Sequence, residues 1–504
     1  MNNKVVMIGA GVANVNAATK LIDEGYNGKI TIIDMGKNPY DRKYSEVMEG
    51  FLGAGGWSDG KLTYHTSIGG QLSKYVGEEK AMELFDQVID NFKRFHPNPS
   101  EVQCSDPQSE PDFIKPYFGL RLFPVWHVGT DYLHEIGKNW YDFLVEGGVE
   151  FIWETKVTAI DFDNNELFIG EEESFVNPKN WPISYDTLIF GVGKSGIDFG
   201  KQLAEQYELP TEPKPVQIGV RFEAPQKHFQ KLIDVSYDFK LYRKFEDKGV
   251  SLRSFCTNNN AAYVAVEQTY GDVSYNGHAK KGEEHRNDMT NFGILMEIQG
   301  INDPFTWSRE LVKEVNESWM DCSKGIGRYA RKAHSGLYYS PTREAGMTSE
   351  GIKVDAMPIK SLDRVKDAFQ GYYDYIEDFI NDMKKVFPTL KDDWGIYVPE
   401  VKYLSPEPLV NYNDLSLTKY PSVHFVGDAL SARGITVSGA QGTLVAEQIL
   451  SSNSTNAGET MDKSISDFLN DPANNKEPHE MGDMHEYIQG GLTMPKENTN
   501  KLNK

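Results

Sequence analysis

The chain opens with alternating apolar and amphipathic segments. Residues 4–8, KVVMI, form a short apolar run, and glycines separate it from residues 12–25, VANVNAATKLIDEG, whose apolar spacing predicts a helix. A second apolar run at 29–34, KITIID, ends in an aspartate. Strand, glycine turn, helix and strand in this order predict a βαβ unit, which is the building block of a parallel sheet.

Later segments carry further strand and helix patterns. Residues 149–163, VEFIWETKVTAIDFD, are typical of a strand, and 421–450 reads as a strand, a glycine-rich loop and a helix. Other stretches differ in character, because AAYVAVEQTY at 261–270 alternates as in an antiparallel sheet and 360–388 has helical spacing up to a proline. The chain therefore mixes parallel-type and antiparallel-type segments.

These patterns predict an α/β protein, α+β overall, in which a Rossmann-like dinucleotide domain is interleaved with an antiparallel-sheet substrate domain and helices. The predicted boundaries are 1–60, 140–215 and 400–450 for the dinucleotide domain, 61–139 and 216–399 for the substrate or cap region, and 451–504 for a polar tail. The tail is poor in large apolar residues, so we expect it either to be mobile or to pack on a partner subunit of a homo-oligomer.

Composition and charge narrow the class of protein. With 504 residues, of which 39% are hydrophobic, the chain is long enough to bury a large core. Its formal charge of −22 opposes binding to nucleic acid and to anionic membrane surfaces. There is no apolar run of about 18 residues and no signal-peptide pattern at the start. The three cysteines Cys104, Cys256 and Cys322 have no paired spacing, so we expect free thiols and a cytoplasmic protein.

The first turn carries a dinucleotide-binding signature. Gly9 permits the tight turn after the strand, and Gly11 lets the backbone approach a pyrophosphate at the helix N-terminus. Asp34, at the end of the second strand, stands about where an acidic residue would meet a ribose hydroxyl. Asn14 replaces the third glycine of the GxGxxG motif, and we expect the alanines at 17 and 18 to relieve the crowding.

The segment near the C-terminus resembles the second FAD signature of glutathione-reductase-type flavoproteins, because VHFVGD is followed by a glycine-rich loop and a helix from about residue 439. The resemblance implies FAD as cofactor, with Gly427 and Asp428 at its ribityl or pyrophosphate region and the backbone near Val157 at adenine. The donors implied at the flavin ring, where a helix N-terminus stabilises negative charge, are backbone groups of Gly439, Ala440 and Gln441. GGWSDGKLTYH, PVQIGVRFEAP, SLRSFC and YNGH resemble a group of FAD-dependent dehydrogenase-like proteins.

A second glycine motif, GVGKSG at residues 191–196, follows the apolar run TLIF and precedes a helical pattern. It fits GxGxxG and is compatible with NAD(P)H, but the stretch about 20 residues on is the proline-bearing LPTEPKPV rather than a strand with a selector residue. A Walker A loop is excluded because the first glycine of that motif is missing. We therefore interpret Gly193 as part of the FAD-binding edge.

The segment 53–62, GAGGWSDGKL, is too rich in glycine for a helix or a central strand, so we expect a loop with close backbone approach beside the flavin, at Gly56 for example. Lys61 and His65 are then the basic side chains best placed near the ring. The alternative is that Lys61 is a solvated loop lysine.

A more specific hypothesis comes from residues 425–434, FVGDALSARG, which loosely resemble a segment of flavin-dependent halogenases. In that family a lysine guides hypohalous acid to the substrate, which would implicate Lys61 or, second, Lys74, with Ser431 in the matching segment. Ala429 stands where the family has a proline, and its WxWxIP block is absent.

The predicted function is that of an FAD-dependent oxidoreductase. The specific hypothesis is a halogenase that uses reduced FAD, oxygen and halide on electron-rich aromatic molecules, with a separate flavin reductase as partner. The alternatives are an NAD(P)H-driven dehydrogenase or reductase of a small organic substrate and a non-catalytic flavin-binding protein.

We assign no catalytic role to four other polar residues. For His127 we favour a core or helix-start position, and for Arg221 an ion pair over an anionic substrate. His278 and His285 are not spaced to lie on one helical turn, so we predict no metal site.

Overall fold

The computed structural model describes residues 3–43, 46–107, 109–170, 182–245, 248–269, 272–319, 366–391, 393–404 and 406–455, with short strands between 327 and 356. The chain divides into two units, residues 1–450 and 451–504, and only 451–455 of the second are described. Most of the predicted tail, Cys322 and the first part of the predicted helix at 360–388 lie outside the described residues. Of the described helices, none has both the length and the hydropathy needed to cross a bilayer.

The described helices and strands have the following bounds. The helices are α1 (Val12–Asp23), α2 (Gly55–Ser58), α3 (Leu72–Val76), α4 (Glu78–Phe95), α5 (Leu133–Glu146), α6 (Ile197–Gln206), α7 (Gln230–Ile233), α8 (Pro304–Trp319), α9 (Tyr373–Val386) and α10 (Ile435–Thr455). The strands are β1 (Lys4–Ile8), β2 (Lys29–Ile33), β3 (Lys61–Thr63), β4 (Gln103–Ser105), β5 (Gly119–Arg121), β6 (Val125–His127), β7 (Glu150–Ile152), β8 (Val157–Asp161), β9 (Glu166–Ile169), β10 (Ile183–Ser184), β11 (Thr187–Phe190), β12 (Thr211–Glu212), β13 (Val216–Pro225), β14 (Lys240–Phe245), β15 (Val250–Asn258), β16 (Ala262–Thr269), β17 (Asp272–Ala279), β18 (Met289–Ile298), β19 (Gly327–Arg328), β20 (Arg331–Lys332), β21 (Gly336–Leu337), β22 (Gly346–Met347), β23 (Lys353–Ala356), β24 (Gly395–Lys402), β25 (Glu407–Pro408) and β26 (Val423–Phe425).

The first strand belongs to a parallel five-stranded sheet whose strand order is β26-β11-β1-β2-β7. Residues 5–8 of β1 are all buried, as expected for a central parallel strand covered on both faces. The chain leaves β1 for β2 on one side and later returns to β11 on the other side. The C-terminal end of β1 is therefore a topological switch point, where open parallel sheets bind their ligands.

A six-stranded antiparallel sheet, in the order β24-β13-β18-β15-β14-β5, forms the second large sheet. With α8 and α9 it encloses a separate apolar core, in which the rings of Phe222 and Phe292 stack with centroids 5.1 Å apart. The register of β15 with β18 shifts between Phe255 and Asn258, and Cys256 has a φ of 51°. A bulge of this kind re-aims side chains, here at the end of the strand that reaches the site.

The mixed helix and sheet class is confirmed, and the strands of the parallel sheet come from the three ranges predicted for the dinucleotide domain. β24 crosses the predicted boundary at residue 400. The single strand predicted at 149–163 is wrong, because Glu154 has a φ of 51° and β7 and β8 belong to different sheets. The segment 53–62 contains the helical turn α2, since burial of Trp57 offsets the entropy cost of its glycines.

Helices α1 and α10 cross at very close range. A Cβ on Gly442 would lie 1.8 Å from the carbonyl oxygen of Ala13, and a Cβ on Gly439 would lie 2.9 Å from Nδ2 of Asn16, both on α1. Neither contact leaves room for a side chain, so glycine at these two positions allows α10 to pack directly on α1.

We expect Gly442→Ala to lower the free energy of unfolding by about 1–3 kcal/mol, because backbone must move to admit the methyl group. Gly200→Ala in α6 is the matched control, since its Cβ would lie 3.5 Å from Cε1 of Phe190, an ordinary contact. The helix propensity of alanine should leave that control unchanged or more stable by up to about 1 kcal/mol. Thermal denaturation compares the two variants, and equal midpoints would contradict the close crossing.

Candidate active site

A pocket opens at the switch point beside β1, and we call it the central pocket. Its walls come from the turns after β1, β11 and β26, the starts of α1 and α10, residues 48–59 and part of the antiparallel sheet. The predicted cofactor-binding residues that line it are Gly9, Gly11, Asp34, Val157, Gly193, Gly427 and Asp428. Glycine segments from opposite ends of the sequence therefore meet at one pocket.

The start of α1 owes its position to a contact between two turns. Gly9 has a φ of 92°, and a Cβ there would lie 2.3 Å from the carbonyl oxygen of Gly191, the residue after β11. Gly11 is the N-cap of α1, and at Gly193 nothing lies within 4 Å of the position of a Cβ. The backbone beside α1 is therefore open to the pocket, where the first N–H groups of a helix have no intrahelical acceptor.

Asn14 lies behind the pocket and does not line it. It is fully buried, and its Nδ2 donates hydrogen bonds to the carbonyl oxygens of Ile8, at 3.0 Å, and Gly9, at 2.7 Å. A Cβ on Gly191 would lie 2.8 Å from that Nδ2. The third glycine of the motif would allow close packing of helix and strand, and here Gly191 of the second glycine motif makes the room instead. Asn14 therefore positions the turn after β1 and does not contact a ligand in the pocket.

Two carboxylates line one end of the pocket. The oxygens of Asp34 accept hydrogen bonds from the backbone N–H groups of Ala10, at 2.6 Å, and Gly36, at 2.7 Å. Burial raises the pKa of Asp34 in spite of these bonds. Burial and the charge of Asp34 also raise the pKa of Glu49, a residue that the sequence analysis missed. A carboxylate has about four acceptor positions, so Asp34 keeps capacity for a hydroxyl group.

Residues 48–59 of the pocket wall are held by a buried guanidinium. Arg42 donates to the carbonyl oxygens of Phe51, at 2.6 Å, and Val47, at 2.7 Å. It also lies 4.4 Å from the ring centroid of Trp57, which stacks on His134 at 3.8 Å. Because Trp57 packs between these groups, α2 is oriented with Gly55 and Ser58 on the pocket and Gly56 behind it, against Leu52.

Helix α10 begins at Ile435, four residues earlier than the predicted start at about residue 439, and its first turn lines the pocket. Ile435 and Ser438 lie on the pocket wall, and Ser438 N–H already donates to Gly434 at 2.9 Å. The predicted donors Gly439, Ala440 and Gln441 lie one turn further on and do not line the pocket, because their N–H groups fall within the hydrogen-bonding range of the helix. Gln441 acts instead through its side chain, whose Oε1 accepts from Gly427 N–H at 2.7 Å.

Another part of the pocket wall comes from the six-stranded antiparallel sheet and the β16–β17 pair packed on it, which we together call the antiparallel lobe, and this part is rich in charge. Arg221 is fully buried, and its Nε lies 3.0 Å from Oε2 of Glu400, which confirms the ion pair predicted for this arginine. Glu267 of β16 forms a second pair, at 3.0 Å, with Lys194 in the turn after β11 of the parallel sheet. Burial, together with Glu267, raises the pKa of Glu400 to about 7 against the attraction of Arg221. This wall therefore offers a carboxyl group that exchanges its proton near neutral pH.

The lysines that the sequence favoured do not line the pocket. Lys61 is buried behind the wall, where Nζ donates to Sγ of Cys256 at 2.9 Å and to the carbonyl oxygen of Thr257 at 3.0 Å. Lys74 is exposed on α3, and Ser431 follows the turn after β26 with a φ of 52°. Three other lysines line the pocket: Lys156 between β7 and β8, Lys194 in the turn after β11, and Lys402 at the end of β24.

Sequence reasoning missed Glu400 and Lys402, although a signal was present. Both lie in GIYVPEVK, a mostly apolar strand, and charges two residues apart in a strand point to the same face. Two charged side chains on the same face of an otherwise buried strand indicate a polar site rather than a solvent-exposed sheet edge.

No family model and no curated protein matches the chain. Similar proteins were found among solved structures. The halogenase PltM in complex with phloroglucinol and FAD is 12% identical over 90% of this chain and 71% of that chain, with a TM-score of 0.39. Glycine oxidase from Bacillus cereus is 11% identical over 89% and 95%, with a TM-score of 0.39. A flavoprotein/dehydrogenase from Cytophaga hutchinsonii is 13% identical over 89% and 79%, with a TM-score of 0.35. Values at this level do not identify a family.

The stacked pair at Trp57 makes stability depend on pH. Burial, with the charges of Arg42 and Lys138, lowers the pKa of His134 from 6.5 to about 4. The unfolded chain takes up this proton more readily, so stability is lost as pH falls from 6.5 towards 4. Over this pH range we expect the thermal midpoint of the wild type to decrease relative to that of His134→Phe, because phenylalanine cannot take up the proton. A difference between the two proteins that does not change with pH would contradict the assignment.

Proposed function

We propose that this chain is an FAD-dependent oxidoreductase whose cofactor lies in the central pocket. The observation that carries the proposal is that the starts of α1 and α10 both line this pocket. A helix N-terminus stabilises negative charge through its N–H groups and its dipole. One elongated ligand with a diphosphate and a ring that gains negative charge on reduction would satisfy both helices.

The residues along the pocket fit the parts of FAD in order. Asp34, Glu49 and the backbone at 155–157 would receive adenosine, and two carboxylates there would repel the 2′-phosphate of an NADP-type nucleotide. Gly11 and Gly193 leave the room that a diphosphate needs beside backbone N–H groups. The isoalloxazine would then face Gly427 and the start of α10.

Bound FAD would supply the capacity to accept a hydride from one substrate and to pass electrons to another. The chain's own contribution would be the wall of the antiparallel lobe. There Glu400 holds or releases a proton near neutral pH, while the Lys194–Glu267 pair orders the adjacent surface. On this proposal the parallel sheet carries the cofactor and the antiparallel lobe binds the substrate.

FAD uptake tests the proposal directly. We expect purified protein to bind FAD and Asp34→Ala to bind it about 10–100-fold more weakly, because a charge-assisted acceptor for ribose is lost. Fluorescence quenching of FAD during titration measures both affinities. Asp41→Asn, a change at an exposed carboxylate of the adjoining segment, is the matched control and should bind FAD as the wild type does. Failure of the wild type to bind FAD in either redox state would rule the proposal out.

Halogenation is the second candidate reaction, and one observation favours it. The hypothesis requires a lysine at the pocket, and Lys402 provides one although Lys61 and Lys74 do not. Lys402 would then take the role that the sequence assigned to Lys61, with a halide and an aromatic molecule as substrates.

Two assays on the FAD-loaded protein separate the candidates. We expect anaerobic NADPH to bleach the flavin absorbance, and reduced FAD with oxygen, bromide and phenol to give no bromophenol by mass spectrometry. Bromophenol that disappears in Lys402→Met would instead establish the halogenase. FAD binding without turnover in either assay would favour a non-catalytic flavoprotein.

A further inference from the structure

The pocket wall formed by the antiparallel lobe gathers cations around one aromatic ring. Nζ of Lys402 lies 3.1 Å from the ring centroid of Phe255, and Nζ of Lys240 lies 5.3 Å from the same centroid. Arg253 precedes Phe255 by two residues on β15, and Arg433, which reaches this wall from the loop between β26 and α10, lines the pocket and acts on the charge of Lys402. Such a group of four cations is unusual in a chain whose formal charge is −22.

Only two of these four cations have a carboxylate partner among the described residues. Lys240 lies 2.8 Å from Oδ1 of Asp238, and Nε of Arg433 lies 2.9 Å from Oδ1 of Asp428. Arg253 donates to the neutral amide of Gln217 at 3.0 Å. For Lys402 the described residues provide a ring face but no carboxylate within ion-pair distance. Positive charge is therefore left over at this wall.

We propose that the wall formed by Lys402, Arg433 and Phe255 binds the carboxylate of an organic substrate beside the cofactor. The proposal rests on the function proposed above and adds the chemical class of the substrate. Lys402 would make the ion pair, because its amine lies against Phe255 with no carboxylate of the described residues within ion-pair distance, while Arg433 remains paired with Asp428. Arg253 is not among the pocket-lining residues, so this wall offers a single lysine amine without a carboxylate partner, which suits a singly charged carboxylate better than a phosphate dianion.

The electrostatics of the neighbouring groups agree with this placement. Burial and the charges of Arg253, Arg433 and Lys240 hold the pKa of Lys402 well below its usual range. Burial is the largest cause of this shift, and the repulsion from the three cations reflects a local positive potential. An anion at the wall would offset this potential and favour the charged form of Lys402, because an opposite charge nearby raises the pKa of a lysine.

The remaining wall suits the uncharged part of such a substrate. Phe199, Tyr275, Val401 and Ile435 line the same pocket and provide apolar contacts, and Glu400 lies two residues before Lys402 on the same face of β24. A carboxylate held at Lys402 would thus place the adjoining atoms within the pocket that also contains the proton-exchanging carboxyl group. Recognition by charge at one point and apolar contact elsewhere is typical of small-molecule sites.

The test uses the FAD-loaded protein and two probes of equal shape, benzoate and benzamide, at constant ionic strength. We expect benzoate to perturb the flavin spectrum and to bind about 10–100-fold more tightly than benzamide, because only benzoate can pair with Lys402. Equal affinity for the two probes, or tighter binding of inorganic phosphate or bromide than of benzoate, would overturn the proposal.

Variants locate the effect. Lys402→Gln should abolish the preference for benzoate, Lys402→Arg should retain most of it, and Lys231→Gln, which removes an exposed lysine of the same lobe, should behave as the wild type. Retained flavin absorbance is measured separately for each protein, so a loss of cofactor, which would count against the proposed function, is distinguished from a loss of carboxylate binding. A preference for benzoate that survives in Lys402→Gln would contradict the role of this lysine, and the wild-type comparison stands even if a variant fails to fold.

Discussion

The contact between two backbone turns is the constraint on which the central pocket depends. A Cβ on Gly9 would lie 2.3 Å from the carbonyl oxygen of Gly191, and a Cβ on Gly191 would lie 2.8 Å from Nδ2 of Asn14. Glycine is needed at both positions because backbone atoms and a buried amide occupy the space of a side chain. Since parallel strands end at the same edge of the sheet, this contact places the start of α1 and the turn after β11 at the same pocket.

The pocket has two walls of different electrostatic character. The starts of α1 and α10 present N–H groups and positive dipole ends, whereas the antiparallel lobe presents the full charges of Glu267, Glu400 and Lys402. Most of these buried charges are paired, as in Arg221–Glu400 and Lys194–Glu267, because an isolated buried charge is costly. Lys402 has no carboxylate within ion-pair distance among the described residues, and the substrate carboxylate that we propose would supply its partner.

The placement of lysines shows why site prediction from sequence was incomplete. Lys61 lies directly after a glycine segment that borders the pocket, yet β3 pairs with β6 and turns this side chain towards Cys256 and Thr257 of β15. Lys402 is far from any glycine motif and reaches the pocket because β24 pairs with β13 at the sheet edge next to it. Distance along the chain from a motif therefore did not indicate which amine faces the pocket.

What the sequence determined by itself is local. Apolar runs and glycines specified β1, α1, β2 and β11, and Gly9, Gly11, Asp34 and Asp428 were found at the pocket because each is positioned by the strand or turn that contains it. The tertiary structure alone decided that Gly191 replaces the third glycine of the first motif, that α10 begins at residue 435, and that Glu400 and Lys402 face the pocket. These features arise from contacts between segments distant in sequence, and no local pattern of hydrophobicity or spacing encodes which distant side chains will meet.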